Sequence, residues 1–155
     1  MTVDSPDLRD ALDHAYRFLS FRARSALEIR DYLLRKGYSA SLVESALGRL
    51  EEYGYINDLE FARQFVASKD DWGSERLKFE LRRKGIDPAI IDKVMLSKSE
   101  ERDRCVRVAS EYLAKRGSKS DWAARRKLWA YLVRRGFSLD SVEAAMRWAS
   151  ESFDE

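Results

Sequence analysis

The chain has 155 residues, of which 45% are hydrophobic and 36% charged, and its net charge is +2. No stretch approaches the roughly eighteen apolar residues of a membrane span, and the acidic start does not resemble a signal peptide. The single cysteine, Cys105, excludes an intrachain disulfide, so we expect a soluble protein of the cytoplasm.

Charge is distributed unevenly along the chain. Residues 99–148 hold twelve basic and seven acidic side chains, a net charge of +5, whereas residues 1–20 and 149–155 are net acidic. We therefore expect the last third of the chain to make the largest electrostatic contact with an anionic partner.

Helices are predicted throughout, because apolar residues recur every three or four positions and β-branched alternation is scarce. Ser25 and Glu28 fit a capping box at the start of the second helix. Asn57 is a favourable N-cap for the fourth helix, and Asp87 followed by Pro88 starts the sixth. The polar stretch 115–120 is predicted to be a loop before the eighth of nine helices.

A short motif occurs three times: a leucine, basic residues, a glycine and a bulky apolar residue. The glycines, Gly37, Gly85 and Gly136, are 48 and 51 residues apart. A glycine just past a helix end adopts a left-handed conformation, and the leucine four residues before it contacts the apolar residue after it. Three pairs fit this template: Leu33 with Tyr38, Leu81 with Ile86, and Leu132 with Phe137.

Apolar positions on both sides of the glycine repeat as well. They lie eight residues before it, at Ile29, Leu77 and Leu128, and six after it, at Val43, Ile91 and Val142. Such a period is typical of repeat proteins. We predict an all-α fold of three tandem three-helix repeats, at residues 1–56, 57–98 and 99–155, forming an elongated, curved molecule.

Catalytic and metal-binding constellations are not found in the sequence. His14 is the only histidine, and Cys105 lies on an apolar helix stripe, so we expect both to be packing residues. The sequence contains no phosphate-binding Gly-Lys-Ser/Thr loop and no nucleophile elbow. The protein is predicted not to be an enzyme and to need no cofactor.

The four tryptophans are interpreted as packing residues. Trp72 and Trp122 each precede the second helix of a repeat and are expected to seal the corner between helices. Trp129 and Trp148 fall on helices and are expected to pack, with partial exposure as the alternative.

The sequence resembles the RecX family of recombinase regulators over about residues 10–149. The most specific segment is residues 53–62, Tyr-Gly-Tyr-Ile-Asn-Asp-x-x-Phe-Ala, between two further matching stretches at 22–33 and 72–86. The stretch from Trp122 to Trp129 departs from the family pattern.

The resemblance implies a non-enzymatic helical protein that binds RecA, as monomer or as filament on DNA. It would restrain filament growth, ATP hydrolysis, strand exchange and coprotease activity, and so regulate recombination, DNA repair and the SOS response. We expect a monomer with weak, non-specific DNA binding as a secondary activity. The expected partner-binding residues are basic: Arg24, Arg35, Lys36, Arg82, Arg83, Lys84, Arg125, Arg126, Lys127, Arg134 and Arg135.

Two other functions compete with this prediction. The repeats could be tandem helix-turn-helix DNA readers, whose helix after the turn enters the major groove. The early positions of those helices are the acidic residues Glu44, Asp92 and Glu143, which repel phosphate and replace the usual base-reading residues. A helical scaffold unrelated to recombination is the third alternative.

Overall fold

The described part of the chain contains nine α-helices and no strand. A computed structural model describes residues 5–116 and 122–153. The helices are α1 Pro6–Phe21, α2 Ala26–Arg35, α3 Ala40–Glu52, α4 Asp58–Ser68, α5 Ser74–Arg83, α6 Pro88–Val94, α7 Lys98–Arg116, α8 Trp122–Arg134 and α9 Leu139–Phe153. The all-α prediction is confirmed.

The three repeated glycines end helices as predicted. Gly37, Gly85 and Gly136 have φ angles of 97°, 77° and 85°, in the left-handed region. The N–H of the residue after each glycine donates to the carbonyl of the repeated leucine: Tyr38 to Leu33 at 3.3 Å, Ile86 to Leu81 at 3.0 Å and Phe137 to Leu132 at 3.3 Å. This six-residue hydrogen bond defines the Schellman end, so each copy of the motif forms the same turn.

Helix starts also follow the sequence. The Ser25 hydroxyl accepts a hydrogen bond from the Glu28 N–H at 3.2 Å, and the Glu28 carboxylate accepts one from the Ser25 N–H at 3.3 Å. This is the predicted capping box. Asn57 accepts from the Glu60 N–H at 3.1 Å, and α6 begins at Pro88, as predicted.

Contacts between residues divide the chain into two compact units. The first unit holds the residues up to Phe65 together with Leu81–Asp92, and the second holds Val66–Glu80 together with the residues from Lys93 onward. The border therefore falls inside α4, α5 and α6. The boundaries of the three repeats and the curved shape stay predictions.

Each unit has an apolar core that uses the repeated positions. In the first unit, α1, α2 and α3 bury a cluster that includes Ile29, Leu33, Val43 and Leu50. In the second unit the corresponding helices α7, α8 and α9 bury Cys105 and the repeat-position residues Leu128, Leu132 and Val142. Because these side chains recur at the spacing of one helix face, the periodicity alone located the buried face.

Trp122 differs from the prediction, and Trp129 takes the alternative of partial exposure. Trp122 is 72% exposed in the first turn of α8, and Trp129 is 37% exposed further along the same helix. The buried face of α8 is occupied by Leu128 and Leu132, which leaves the tryptophans on the outer face. Trp148, by contrast, packs against the core of the second unit, as predicted.

The predicted loop 115–120 is partly helical. The last turn of α7 includes Lys115 and Arg116, so the loop prediction is wrong for these two residues. Basic residues at a helix C-terminus interact favourably with the helix dipole, which explains why the helix continues through them. Residues 117–120 lie outside the described residues.

Replacing Gly48 with alanine is expected to stabilise the protein. Gly48 is exposed in the middle of α3, and among the residues that the structure describes none lies within 4 Å of the position that a Cβ would take. Alanine is favoured over glycine in an exposed helix interior by about 1 kcal/mol, so the melting temperature should rise by about 2–4 °C. Circular dichroism melts would check this, and a lower melting temperature would contradict it.

Candidate partner-binding surface

Most of the predicted partner-binding cations lie on the surface. Eight of the eleven are exposed: Arg35, Lys36, Arg82, Arg83, Arg125, Arg126, Lys127 and Arg134. The other three, Arg24, Lys84 and Arg135, are half-buried. These three half-buried cations make contacts with other parts of the fold.

In the first unit, Arg24 and Lys84 share the carboxylate of Glu28. The Nη1 of Arg24 and the Nζ of Lys84 both lie 3.8 Å from it. The Arg24 guanidinium also lies 3.9 Å from the centroid of the Phe18 ring. Burial lowers the pKa of Arg24, and the positive charge of Arg22 lowers it further, whereas Glu28 raises it. Glu28 therefore pairs with both cations where the start of α2 meets the end of α5.

In the second unit, Arg135 plays a comparable part. Its guanidinium pairs with the Asp71 carboxylate and lies 4.9 Å from the centroid of the Tyr131 ring. Its carbonyl accepts a hydrogen bond from the Gly73 N–H at 2.8 Å, and the Gly136 carbonyl accepts one from the Glu75 N–H at 2.9 Å. The turn that ends α8 thus satisfies N–H groups at the start of α5, which would otherwise lack partners.

The same arrangement occurs once in each unit. In the first unit the Ser25 hydroxyl donates to the Lys84 carbonyl at 2.7 Å, and the Ala26 N–H donates to Asp58 at 2.9 Å. In the second unit the Ser74 N–H donates to the Glu101 carboxylate at 2.6 Å, beside the turn at Gly136. In both units, the second helix of one repeat begins beside the glycine turn of the next repeat. An acidic residue from the first helix of that next repeat accepts a hydrogen bond from the same helix start.

The first glycine turn differs from the other two. No described residue comes within 4 Å of the position that a Cβ on Gly37 would take, whereas a Cβ on Gly85 would meet Leu27 and one on Gly136 would meet Arg76. The exposed Arg35 and Lys36 precede this uncovered turn. They therefore remain candidates for partner contact. The other exposed cations of the predicted set remain candidates as well: Arg82, Arg83, Arg125, Arg126, Lys127 and Arg134.

Helix α8 lies in the last third of the chain, where the sequence has its largest excess of positive charge. It contains Arg125, Arg126, Lys127 and Arg134 and no acidic residue. The Arg126 guanidinium lies 4.9 Å from the centroid of the exposed Trp122 ring. The exposure of Trp122 was missed by the sequence interpretation, because helical spacing identifies a face without indicating whether another element covers it.

The helices after the three glycine turns present acids, as the sequence indicated. Glu44, Asp92 and Glu143 are all exposed. The Glu44 carboxylate accepts a hydrogen bond from the Arg30 Nε at 2.7 Å, which lowers the pKa of Glu44 and raises that of Arg30. This salt bridge links α2 to α3 and does not favour base readout by that helix.

The two candidate reactive residues lie in packing environments. Cys105 is fully buried, as predicted, and burial raises the pKa of its thiol to about 12, with a further contribution from Glu101. His14 is half-buried, with its ring centroid 5.8 Å from that of Tyr38 in an edge-on arrangement. A buried, protonated thiol is a poor nucleophile.

Within the described ranges, 5–116 and 122–153, no helix has the length and apolar character needed to span a membrane. The same residues contain no group of three or more His, Cys, Asp or Glu side chains that could hold a metal ion.

Comparisons with known proteins identify relatives along most of the chain. Three family models match in succession: "RecX, first three-helix domain" at residues 11–50, the second at 57–95 and the third at 100–146. Proteins named regulatory protein RecX are 35% identical in Chlorobium phaeobacteroides over 144 residues and 32% identical in Bacillus licheniformis over 146 residues. These matches cover 90% and 91% of this chain, and 93% and 56% of the respective relatives.

A solved structure has the same fold. The crystal structure of RecX from Lactobacillus salivarius matches with a TM-score of 0.78 at 22% identity, covering 96% of this chain and 97% of that one.

Proposed function

The chain belongs to the RecX family of regulatory proteins, and from this premise we propose that it binds RecA and inhibits it. Filament growth, ATP hydrolysis, strand exchange and coprotease activity are the processes it would restrain. In this proposal the protein is a monomeric, non-enzymatic regulator of recombination and DNA repair in the cytoplasm. Its family membership carries the proposal.

The surface chemistry supports contact with an acidic partner. The cations of α8 are exposed and the helix itself contains no acid, so this helix has a net positive charge that attracts an acidic ligand. Charged side chains at the edge of an interface mainly accelerate association and give it salt dependence. We therefore assign the largest electrostatic contribution to Arg125 and Arg126.

The test is a titration of RecA's single-stranded-DNA-dependent ATPase with this protein. We expect inhibition well below one protein per RecA. The charge-reversed variant Arg125→Glu/Arg126→Glu should need roughly tenfold more protein for half-inhibition and show a flatter salt dependence.

A matched control separates specific contact from net charge. Arg9→Glu/Arg17→Glu makes the same charge change at exposed positions of α1 and should leave inhibition unchanged. Equal losses in both variants would reject the role of α8. No inhibition by the wild-type protein at one per RecA would contradict the proposed function itself.

A further inference from the structure

Helix α8 presents an apolar stripe that nothing in the described structure covers. Trp122, Arg126, Trp129 and Val133 follow one another at spacings of four, three and four residues, which places them on one side of the helix. Trp122 is 72% exposed, Trp129 37% and Val133 48%. We call these four residues the α8 face.

The α8 face is not required by the repeat. At the same distances before the turn glycine as Trp122, Trp129 and Val133, the first repeat has Ala23, Arg30 and Leu34, and the second has Asp71, Lys78 and Arg82. The buried leucines of the three helices do repeat. Packing therefore fixes the inner side of α8, and its aromatic outer side needs another explanation.

Charge indicates the kind of partner. The stripe contains Arg126 and has Arg125 beside it, and the same helix carries Lys127 and Arg134 and no acid. Exposed tryptophan and arginine are also the residue types that contribute most to protein interfaces. An apolar stripe with basic edges complements a helix whose apolar stripe has acidic edges.

The shape favours a protein helix over nucleic acid. The Arg126 guanidinium already lies against the Trp122 ring, and Val133 offers no ring for base stacking. Trp122 and Val133 are eleven residues apart, about 16 Å along the helix axis, which is three turns of a partner helix. Two tryptophans, an arginine and a valine spread over three turns on one side of a helix match helix-to-helix docking.

We propose that the α8 face docks an acidic, amphipathic helical segment of the protein partner. This inference rests on the proposed function, because the partner is RecA. The face supplies the apolar centre of the interface, and the cations of the same helix supply its electrostatic edge.

The experiment measures binding of the full chain to DNA-free RecA by fluorescence anisotropy, with a label placed on RecA. The variant Trp122→Ser/Val133→Ser removes two exposed apolar contacts, and its Kd should rise about tenfold or more at every salt concentration. Phe21→Ser, at an aromatic residue 82% exposed at the end of α1, is the matched control and should bind as wild type does. Circular dichroism melts verify that each variant is folded.

Each outcome decides between the proposals. Wild-type binding that the Trp122→Ser/Val133→Ser variant retains would overturn docking on the α8 face and leave the proposed function standing. If the same variant lost binding to labelled oligothymidylate but kept its binding to RecA, the face would be assigned to nucleic acid, which would also overturn the inference. Absence of wild-type binding to RecA, with or without DNA, would overturn both.

Discussion

Replacing Gly136 with alanine is expected to lower the free energy of unfolding by about 3 kcal/mol. The φ of Gly136 is 85°, and a left-handed conformation costs a residue with a Cβ about 1–2 kcal/mol. An added Cβ would also lie 2.5 Å from the backbone nitrogen of Arg76, and still closer to the Arg76 Cβ. Relieving that overlap requires movement of the α5 backbone, and overpacking of this kind costs roughly 1–3 kcal/mol.

The chain supplies its own control for this prediction. Gly37 ends α2 in the same Schellman turn with a φ of 97°, but within 5–116 and 122–153 no atom lies within 4 Å of its Cβ position. Gly37→Ala should therefore show only the backbone cost, about 1–2 kcal/mol. Thermal and urea unfolding of both variants would measure the difference. Equal destabilisation would mean that the contact between Gly136 and Arg76 contributes nothing.

Replacing Glu101 with glutamine is expected to destabilise the second unit by about 1–3 kcal/mol. Glu101 is only 4% exposed, on α7, and its carboxylate accepts hydrogen bonds from the Ser74 N–H at 2.6 Å and the Ser141 hydroxyl at 2.6 Å. The Ser138 hydroxyl donates to it as well. An amide replaces one acceptor oxygen with an NH₂ donor, so at least one of these donors would lose its acceptor.

The same carboxylate should make stability depend on pH. Burial alone would raise the pKa of Glu101, but the hydrogen bonds from Ser138, Ser141 and Ser74 outweigh it and lower the pKa below its usual value. A depressed pKa in the folded state stabilises the protein above the unfolded pKa, which is about 4.3 for glutamate. That contribution is lost as the pH falls through the lower, folded-state pKa.

Melting temperatures measured from pH 7 down to pH 3 would check this dependence. The difference between wild type and Glu101→Gln should shrink across the acidic range, whereas Glu151→Gln, at an exposed position of α9, should follow wild type throughout. A difference that stays constant to pH 3 would show that the Glu101 carboxylate does not carry the stabilisation.

Much of the candidate surface could be predicted from the sequence. Arg125 and Arg126 were identified by the run of charge, and both are exposed, because long cationic side chains rarely lie on a buried helix face. Arg24 and Lys84 belong to similar basic clusters but are held by Glu28. Lys84 is 56 positions from Glu28 in the chain, and no local pattern indicates that pairing.

The sequence by itself determined the three helix ends and the buried stripes of the repeat. Each Schellman turn is closed by a hydrogen bond between residues five apart, such as Phe137 and Leu132, so six residues contain everything that the turn needs. Helical periodicity is similarly local. For this reason, the family resemblance and the fold class could be predicted without coordinates.

Only the tertiary structure decided which surfaces are covered. Gly37 and Gly136 have the same local sequence pattern, yet only Gly136 lies against another helix start. Glu101 resembles any other acid near a helix N-terminus until Ser74 and Ser141, 27 and 40 positions away, surround it. Trp122 is exposed because the leucines of α8 fill the core. Burial is set by contacts between distant parts of the chain, which helical periodicity does not encode.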